Sequence, residues 1–201
     1  MNKEIIEYLK EKYCPLGLIM YGSFADGSNN LNSDFDALVI SSHNQECHDH
    51  SYVQGIELDV FVYPKSKLDE DCLDDFIQIF DGQIVIDTDD MMKDLKEKVN
   101  AYIQNYPKTS ASENEHSIAW CQKMLKRTKR NDMEGYYRLH WLLTESLKIY
   151  FEIKGLYYFG PKKALKQMQQ HDETASIIYY ETLKNPTYEN VGKWIEILSQ
   201  L

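Results

Sequence analysis

Long apolar runs are absent from this 201-residue chain: no stretch approaches the roughly 18–20 residues that a helical membrane span requires. Cysteine is scarce and scattered. Cys14, Cys47, Cys72 and Cys121 form no C-x-x-C pair, which argues against a disulfide frame and predicts reduced thiols. The opening residues, MNKEIIEYLKEKY, lack the apolar core of a secretory signal, so a cytoplasmic protein is expected. Internal repeats and low-complexity tracts are missing too. An excess of positive charge is also lacking, the net charge being −10. The deficit lies almost wholly in the first half: residues 1–108 carry nine lysines against 21 acids, a balance of −12, and the remainder stands at +2. Nucleic-acid binding depends on neutralising phosphates with basic side chains, so no nucleic-acid partner is expected. The same acidity suits metal ions or a cationic small substrate.

What is present falls into two styles. The first half alternates element types. NKEIIEYLKEKY carries Ile5, Ile6, Tyr8, Leu9 and Tyr13 at helical spacing, and LGLIMYG reads as a short buried strand. DFDALVIS and YVQGIELDVFVYP read as two more strands, the latter with Glu57, Asp59 and Phe61 on one face. KLDEDCLDDFIQIF reads as a helix with a Leu73, Phe76, Ile77 and Phe80 stripe. GQIVIDT reads as a fourth strand and DDMMKDLKEKVNAYIQNY as a helix leading out. PKTSASEN then marks a linker, with Ser112 and Glu115 as a capping box. Beyond it every segment has helical period, with Gly155 just past a helix end and Pro161, and Pro186 or its neighbour, in first turns. The expected organisation is therefore an α/β half over residues 1–108, then an all-α helical bundle over 109–201.

The stretch GSFADGSNNLNSDFD, running straight into ALVI, carries the chemistry. Strand side chains alternate faces, so Asp34 and Asp36 point one way while Phe35 points into a core. Two neighbouring carboxylates repel unless a cation lies between them. Gly22 lets backbone approach a ligand closely, and Ser23 adds a hydroxyl suited to phosphate. Asp59 completes a trio if its strand pairs beside the second one. Such a trio suits Mg²⁺, a hard ion that prefers oxygen ligands, and two-metal phosphoryl or nucleotidyl transfer.

Gly-Ser after an apolar strand, a spacer of about ten residues, D-x-D and a later strand aspartate together resemble the signature of the DNA polymerase β-like nucleotidyltransferase superfamily. YGSFADGSNNLNSDFDALVI resembles its bacterial small-molecule branch, which includes the aminoglycoside and lincosamide nucleotidyltransferases and the minimal nucleotidyltransferases. The resemblance implies Gly22 and Ser23 for the triphosphate, Asp34 and Asp36 for metal, and Asp59 as the third carboxylate. It also implies an α+β fold, a short mixed sheet flanked by helices and followed by a helical bundle, with two Mg²⁺ ions, ATP or another NTP as co-substrate, and a small-molecule acceptor met by a helical cap.

In such relatives a helical-domain carboxylate can serve as general base. Glu145 is the first candidate here, on a face with Trp141 that would bury it and raise its pKa; Glu113, Glu115 and Glu134 stand behind it. In GLYYFGPKK, Tyr157, Tyr158 or Phe159 could stack on a ring, and Lys162 or Lys163 could reach a phosphate, though an aromatic core with surface lysines fits better. HNQECHDHSY holds His43, Cys47, His48 and His50. Its spacing lacks the recognisable ligand pairs of structural zinc, so a loop at the site's rim is expected. An alternative to the small-molecule enzyme is a toxin–antitoxin or regulatory module acting on a protein partner. A nucleotide-binding domain without catalysis is disfavoured by the three retained carboxylates, and a site shared by a homodimer is compatible with the sequence.

Overall fold

A computed structural model of the chain describes residues 2–70 and 72–201, Asn2 through its backbone only. The chain divides into two compact units, the first ending at Asn105 and the second running Tyr106–Leu201.

The first unit opens with α1 (Asn2–Tyr13), then β1 (Pro15–Met20), a five-residue helix α2 (Gly22–Asp26) and β2 (Phe35–Ser41). Three strands follow, β3 (Cys47–Asp49), β4 (Tyr52–Val53) and β5 (Ile56–Pro64), then β6 (Gln83–Asp87) and α3 (Met91–Gln104). The sheet runs β3-β5-β2-β1-β6, with β4 on β5. β2 and β5 are parallel, whereas the β1–β2, β1–β6 and β3–β5 pairs are antiparallel. A mixed sheet with flanking helices is the architecture the family resemblance implies.

Period-two patterning sends the two faces of the sheet into two separate cores. Phe35, Ala37, Val39, Leu58, Val60 and Val62 pack under α1 with Ile5, Leu9 and Tyr13. Leu38 and Ile40 turn the other way, onto Phe76, Ile79 and the α3 residues Met92, Leu95 and Val99. Both cores lie on fully or nearly fully buried side chains, so a one-residue slip of any central strand would exchange its two faces at once.

Three expectations need correction in this unit. The strand read through YVQGIELDVFVYP is a hairpin, β4 to β5, turning at Gln54 and Gly55, whose φ angles of 53° and 81° make a two-residue turn with both central residues left-handed. The stretch KLDEDCLDDFIQIF is two 3₁₀ segments, Lys65–Asp69 and Leu73–Ile79, rather than one helix, and Asp71 within it lies outside the described residues. The HNQECHDHSY segment is not a loop throughout: Cys47–Asp49 forms the edge strand β3 on β5.

The second unit is helical: α4 (Ala111–Arg127), α5 (Met133–Ile153), α6 (Pro161–His171), α7 (Glu173–Lys184) and α8 (Tyr188–Leu198). Its core gathers Cys121, Leu142, Tyr150, Phe151, Tyr179, Val191 and Trp194. The capping box at α4 is Ser110 with Glu113, two residues before the expected pair. Pro161 takes the first position of α6, but Pro186 precedes the α8 cap, Thr187, and lies outside the helix. Gly155, with φ 63°, closes α5: its own N–H donates to the Glu152 carbonyl and that of Leu156 to Phe151, the paired bonds of a Schellman end. No helix among the described residues is long and apolar enough to cross a membrane.

Candidate functional site

The end of the α3-facing side of the sheet is where apolar side chains give way to acids. In the parallel β2–β5 pair, Asp36 registers with Asp59, and the next rungs match Leu38 with Phe61 and Ile40 with Tyr63. Asp34 precedes β2 by one residue and lies two residues before Asp36, hence on the same side. Oxygens of Asp34, Asp36 and Asp59 all lie within 4.8 Å of one another. The condition set by the sequence, that the Asp59 strand pair beside the D-x-D strand, is met. Asp34 is exposed, while Asp36 and Asp59 are half-buried.

The turn from β1 into α2 forms the wall beside Asp36. Tyr21 caps α2 in an extended conformation and its N–H donates to the Asp36 carbonyl at 3.1 Å, locking the turn to β2. Gly22 follows at φ +66°, a left-handed conformation that side chains rarely tolerate. A Cβ at position 22 would stand 2.1 Å from Asp36 Oδ2, so the carboxylate occupies the very space a side chain would need. Ser23, next in line, is buried, and its carbonyl accepts from Asn29 at 3.1 Å. The intervening loop is held by its own side chains: Asn30 N–H donates to Ser33 Oγ at 2.9 Å, and Asn32 N–H to Asn30 Oδ1 at 2.9 Å.

One residue at this end escaped the sequence reading, and a second was placed only at the site's rim. Tyr21 is almost fully buried. Burial pushes its hydroxyl pKa up, and the charges of Asp59, Asp36 and Asp34 push the same way, which places the ring at the carboxylate cluster. The only signal was its position immediately before Gly22. His48 is the other: its Nε2 is hydrogen-bonded to Asp59 Oδ1 and its ring stacks on Phe61, centroids 4.0 Å apart at 15°. Ligand atoms of His48, His50 and Asp59 also lie within 4.8 Å of each other. The H-x-H spacing was visible, but its relation to Asp59 depends on β3, which the sequence did not reveal.

The opposite side of the same strands carries a different acid. Asp49 is 5% exposed and accepts from Tyr13 Oη at 2.6 Å, Lys12 Nζ at 3.0 Å, and both the N–H and hydroxyl of Ser51 at 2.9 and 2.5 Å. Burial alone would raise its pKa. The hydrogen bonds from Ser51, Tyr13 and Lys12 outweigh it and hold the carboxyl below the ordinary range.

The helical-unit candidates are placed differently from expectation. Glu145 is exposed on α5, and Trp141 is itself 38% exposed, packed edge-on against Trp120 with centroids 5.4 Å apart. The burial expected of Glu145 is therefore absent. Its charge is felt by Tyr158, whose pKa is raised first by burial and then by that carboxylate. Lys162 is exposed in the first turn of α6, and Lys163 lies over the Phe159 ring at 5.9 Å. Tyr157 packs against Tyr106 and Phe159, and Tyr158 against Phe151. Glu113 is committed to its capping box, and Glu134 to Arg130 and Arg138. Glu115 is exposed.

Residues 2–105 match the family model described as a nucleotidyltransferase domain. Among solved structures, the chain is similar to a nucleotidyltransferase-like protein from Exiguobacterium sibiricum 255-15, at 16% identity and a TM-score of 0.44, covering 99% of this chain and 73% of that one. No curated protein matches it. The family match spans more than half of the chain and contains the Gly22-Ser23 turn and all three aspartates, so the protein belongs to the nucleotidyltransferase domain family and is an enzyme of nucleotidyl transfer.

Proposed function

We propose that the protein transfers a nucleoside monophosphate, AMP from ATP, to a hydroxyl of a small cationic acceptor of the aminoglycoside kind, releasing pyrophosphate. The observation that carries this reading is the parallel register that sets Asp36 beside Asp59, with Asp34 completing an all-oxygen donor set. The residues fit hard divalent ions: three carboxylates converge, and Gly22 keeps the adjoining wall free of side chain. Asp34, Asp36 and Asp59 would hold Mg²⁺, two ions by the family pattern. Bound there, Mg²⁺ supplies neutralisation of triphosphate charge and a lowered pKa for the attacking hydroxyl.

The chain's own residues bind and orient. Gly22 and Ser23 give the triphosphate a backbone surface next to Asp36. Tyr21 is buried beside the carboxylates and backs that end of the site with an aromatic ring. Proton acceptance from the acceptor hydroxyl is assigned to Glu145 and a phosphate contact to Lys162. Both assignments are tested by Glu145→Gln and Lys162→Ala, the first expected to lower turnover with nucleotide affinity intact, the second to weaken nucleotide affinity. The −12 balance of residues 1–108 supports a cationic acceptor.

The deciding experiment is Mg²⁺-dependent pyrophosphate release from ATP against a panel of aminoglycosides and lincosamides, with Asp36→Asn alongside. Acceptor-dependent release that disappears in the variant is the expected result. ATP and Mg²⁺ binding without release for any small acceptor would overturn the small-molecule reading and favour a protein acceptor.

A further inference from the structure

The edge strand β3 sorts the C-H-x-H run of residues 47–50 onto two faces. Cys47 and Asp49 turn toward α1, where Cys47 Sγ lies 4.0 Å from the Tyr13 hydroxyl and Asp49 is buried. His48 and His50 turn the other way, their ring centroids 3.8 Å apart. A zinc site built from Cys47 with His48 is thereby excluded, because a strand cannot bring successive residues to one ligand. The same alternation creates another set. In the β3–β5 ladder His48 pairs with Phe61 and Asp49 with Val60, so continuing the register by one rung sets His50 opposite Asp59. Asp59 is flanked by both imidazoles, one across and one on the diagonal, and the three ligand atoms lie within 4.8 Å of each other.

The geometry points to a second cation site, His48–His50–Asp59, that takes a borderline transition ion of the Zn²⁺ class. Two imidazole nitrogens and one carboxylate oxygen are the donor set such ions favour and Mg²⁺ does not. In the tautomer with its proton on Nδ1, the Nε2 lone pair of His48 aims at the place now bridged to Asp59. The stack on Phe61 fixes the His48 ring plane, the role that outer groups play around known metal sites. Three protein ligands leave a further position open for water or a phosphate oxygen. The site is distinct from the carboxylate trio in ligand chemistry and shares one residue with it, Asp59. Its existence does not depend on the proposed transfer reaction.

The test is Co²⁺ titration of the full-length, metal-stripped protein, reduced and without nucleotide, followed by visible d–d absorption. The expected result is one Co²⁺ per chain at this site, Zn²⁺ displacing it. Affinity should fall roughly tenfold or more in His48→Gln/His50→Gln, and hold in Asp34→Asn and Cys47→Ser. Circular dichroism and thermal unfolding establish that each variant is folded, and the single His50→Gln replaces the double variant if that one is not. Unchanged Co²⁺ affinity in the histidine variants overturns the proposal. So does loss in Asp34→Asn, which would put the ion in the carboxylate trio, or loss in Cys47→Ser, which would make it a thiolate adduct. None of these outcomes uses pyrophosphate release, so the failure of this site and the failure of the transfer reading are separate results.

Discussion

Asp49 and Asp59 sit on adjacent strands of one sheet, with their carboxyl groups on opposite faces. Asp49 is sealed, with phenol, ammonium, hydroxyl and amide donors converging on its two oxygens. Asp59 is half-buried and meets two more acids and two imidazoles. The first arrangement satisfies a buried charge from within the chain, as burial demands. The second gathers like charges at the mouth of the sheet, where a cation from outside is what would stabilise them. The difference between a carboxylate satisfied from within the chain and one left to an outside cation is legible in the partners, not in the residue type.

That contrast can be broken in either direction. The largest effect is expected for Asp36→Asn: turnover falls by about 10³-fold or more, since electrostatic stabilisation worth several kcal/mol is lost. Thermal stability of the metal-free protein stays level or rises slightly as a repulsion is relieved, and paired kinetics and unfolding scans check both. Asp49→Ala should show the reverse, a loss of about 2 kcal/mol in stability with transfer per folded molecule unchanged, because it leaves the buried Tyr13 hydroxyl without its acceptor while the exposed Lys12 ammonium returns to water. The pH dependence follows the sign of the shift. Asp49 has a depressed folded pKa, so its contribution is complete above the ordinary value of 3.8 and is lost as pH falls below it toward the folded pKa. Urea melts from pH 6 downward should therefore show the wild-type advantage over Asp49→Asn shrinking only below about pH 4.

Gly22→Ala tests the wall beside Asp36. The positive φ costs about 1 kcal/mol or more, and the 2.1 Å approach to Asp36 Oδ2 forces the carboxylate aside. Transfer should fall far more steeply than stability, and a variant with both near wild type would show that the wall is not part of the site. The smallest effect belongs to the helical unit. Trp194 Nε1 donates to Ser146 Oγ at 2.8 Å, both residues being fully buried. Ser146→Ala removes that acceptor and should cost about 1–2 kcal/mol without touching turnover.

Much of this was visible in the residues themselves. Apolar-acid alternation in DFDALVI and ELDVFVY revealed two strands and which face their aspartates share, and the helical periods beyond residue 109 revealed five helices. The failures have physical causes. β3 is three residues long and polar on one side, so it carries no apolar signature, and its place on β5 is set by pairing across more than ten residues. The sequence S-A-S-E-N-E offers two overlapping capping boxes of equal quality, and only the backbone path selects Ser110 with Glu113. Asp49 looks like any loop acid because its donors on α1 lie 36 to 41 residues away. Trp141 looked able to bury Glu145, yet the indole turns onto Trp120 and leaves the glutamate in solvent.

The parallel rung that joins Asp36 to Asp59 also has a meaning in time. Its two strands are separated by the whole β3–β4 excursion, so the rung forms only after a long loop has closed, an entropically costly and comparatively slow event. A ligand that needs both carboxylates can recognise the registered sheet and nothing earlier, and mass action then stabilises that state alone. Refolding followed through such a ligand would report the moment of strand docking, making the site a clock for its own assembly.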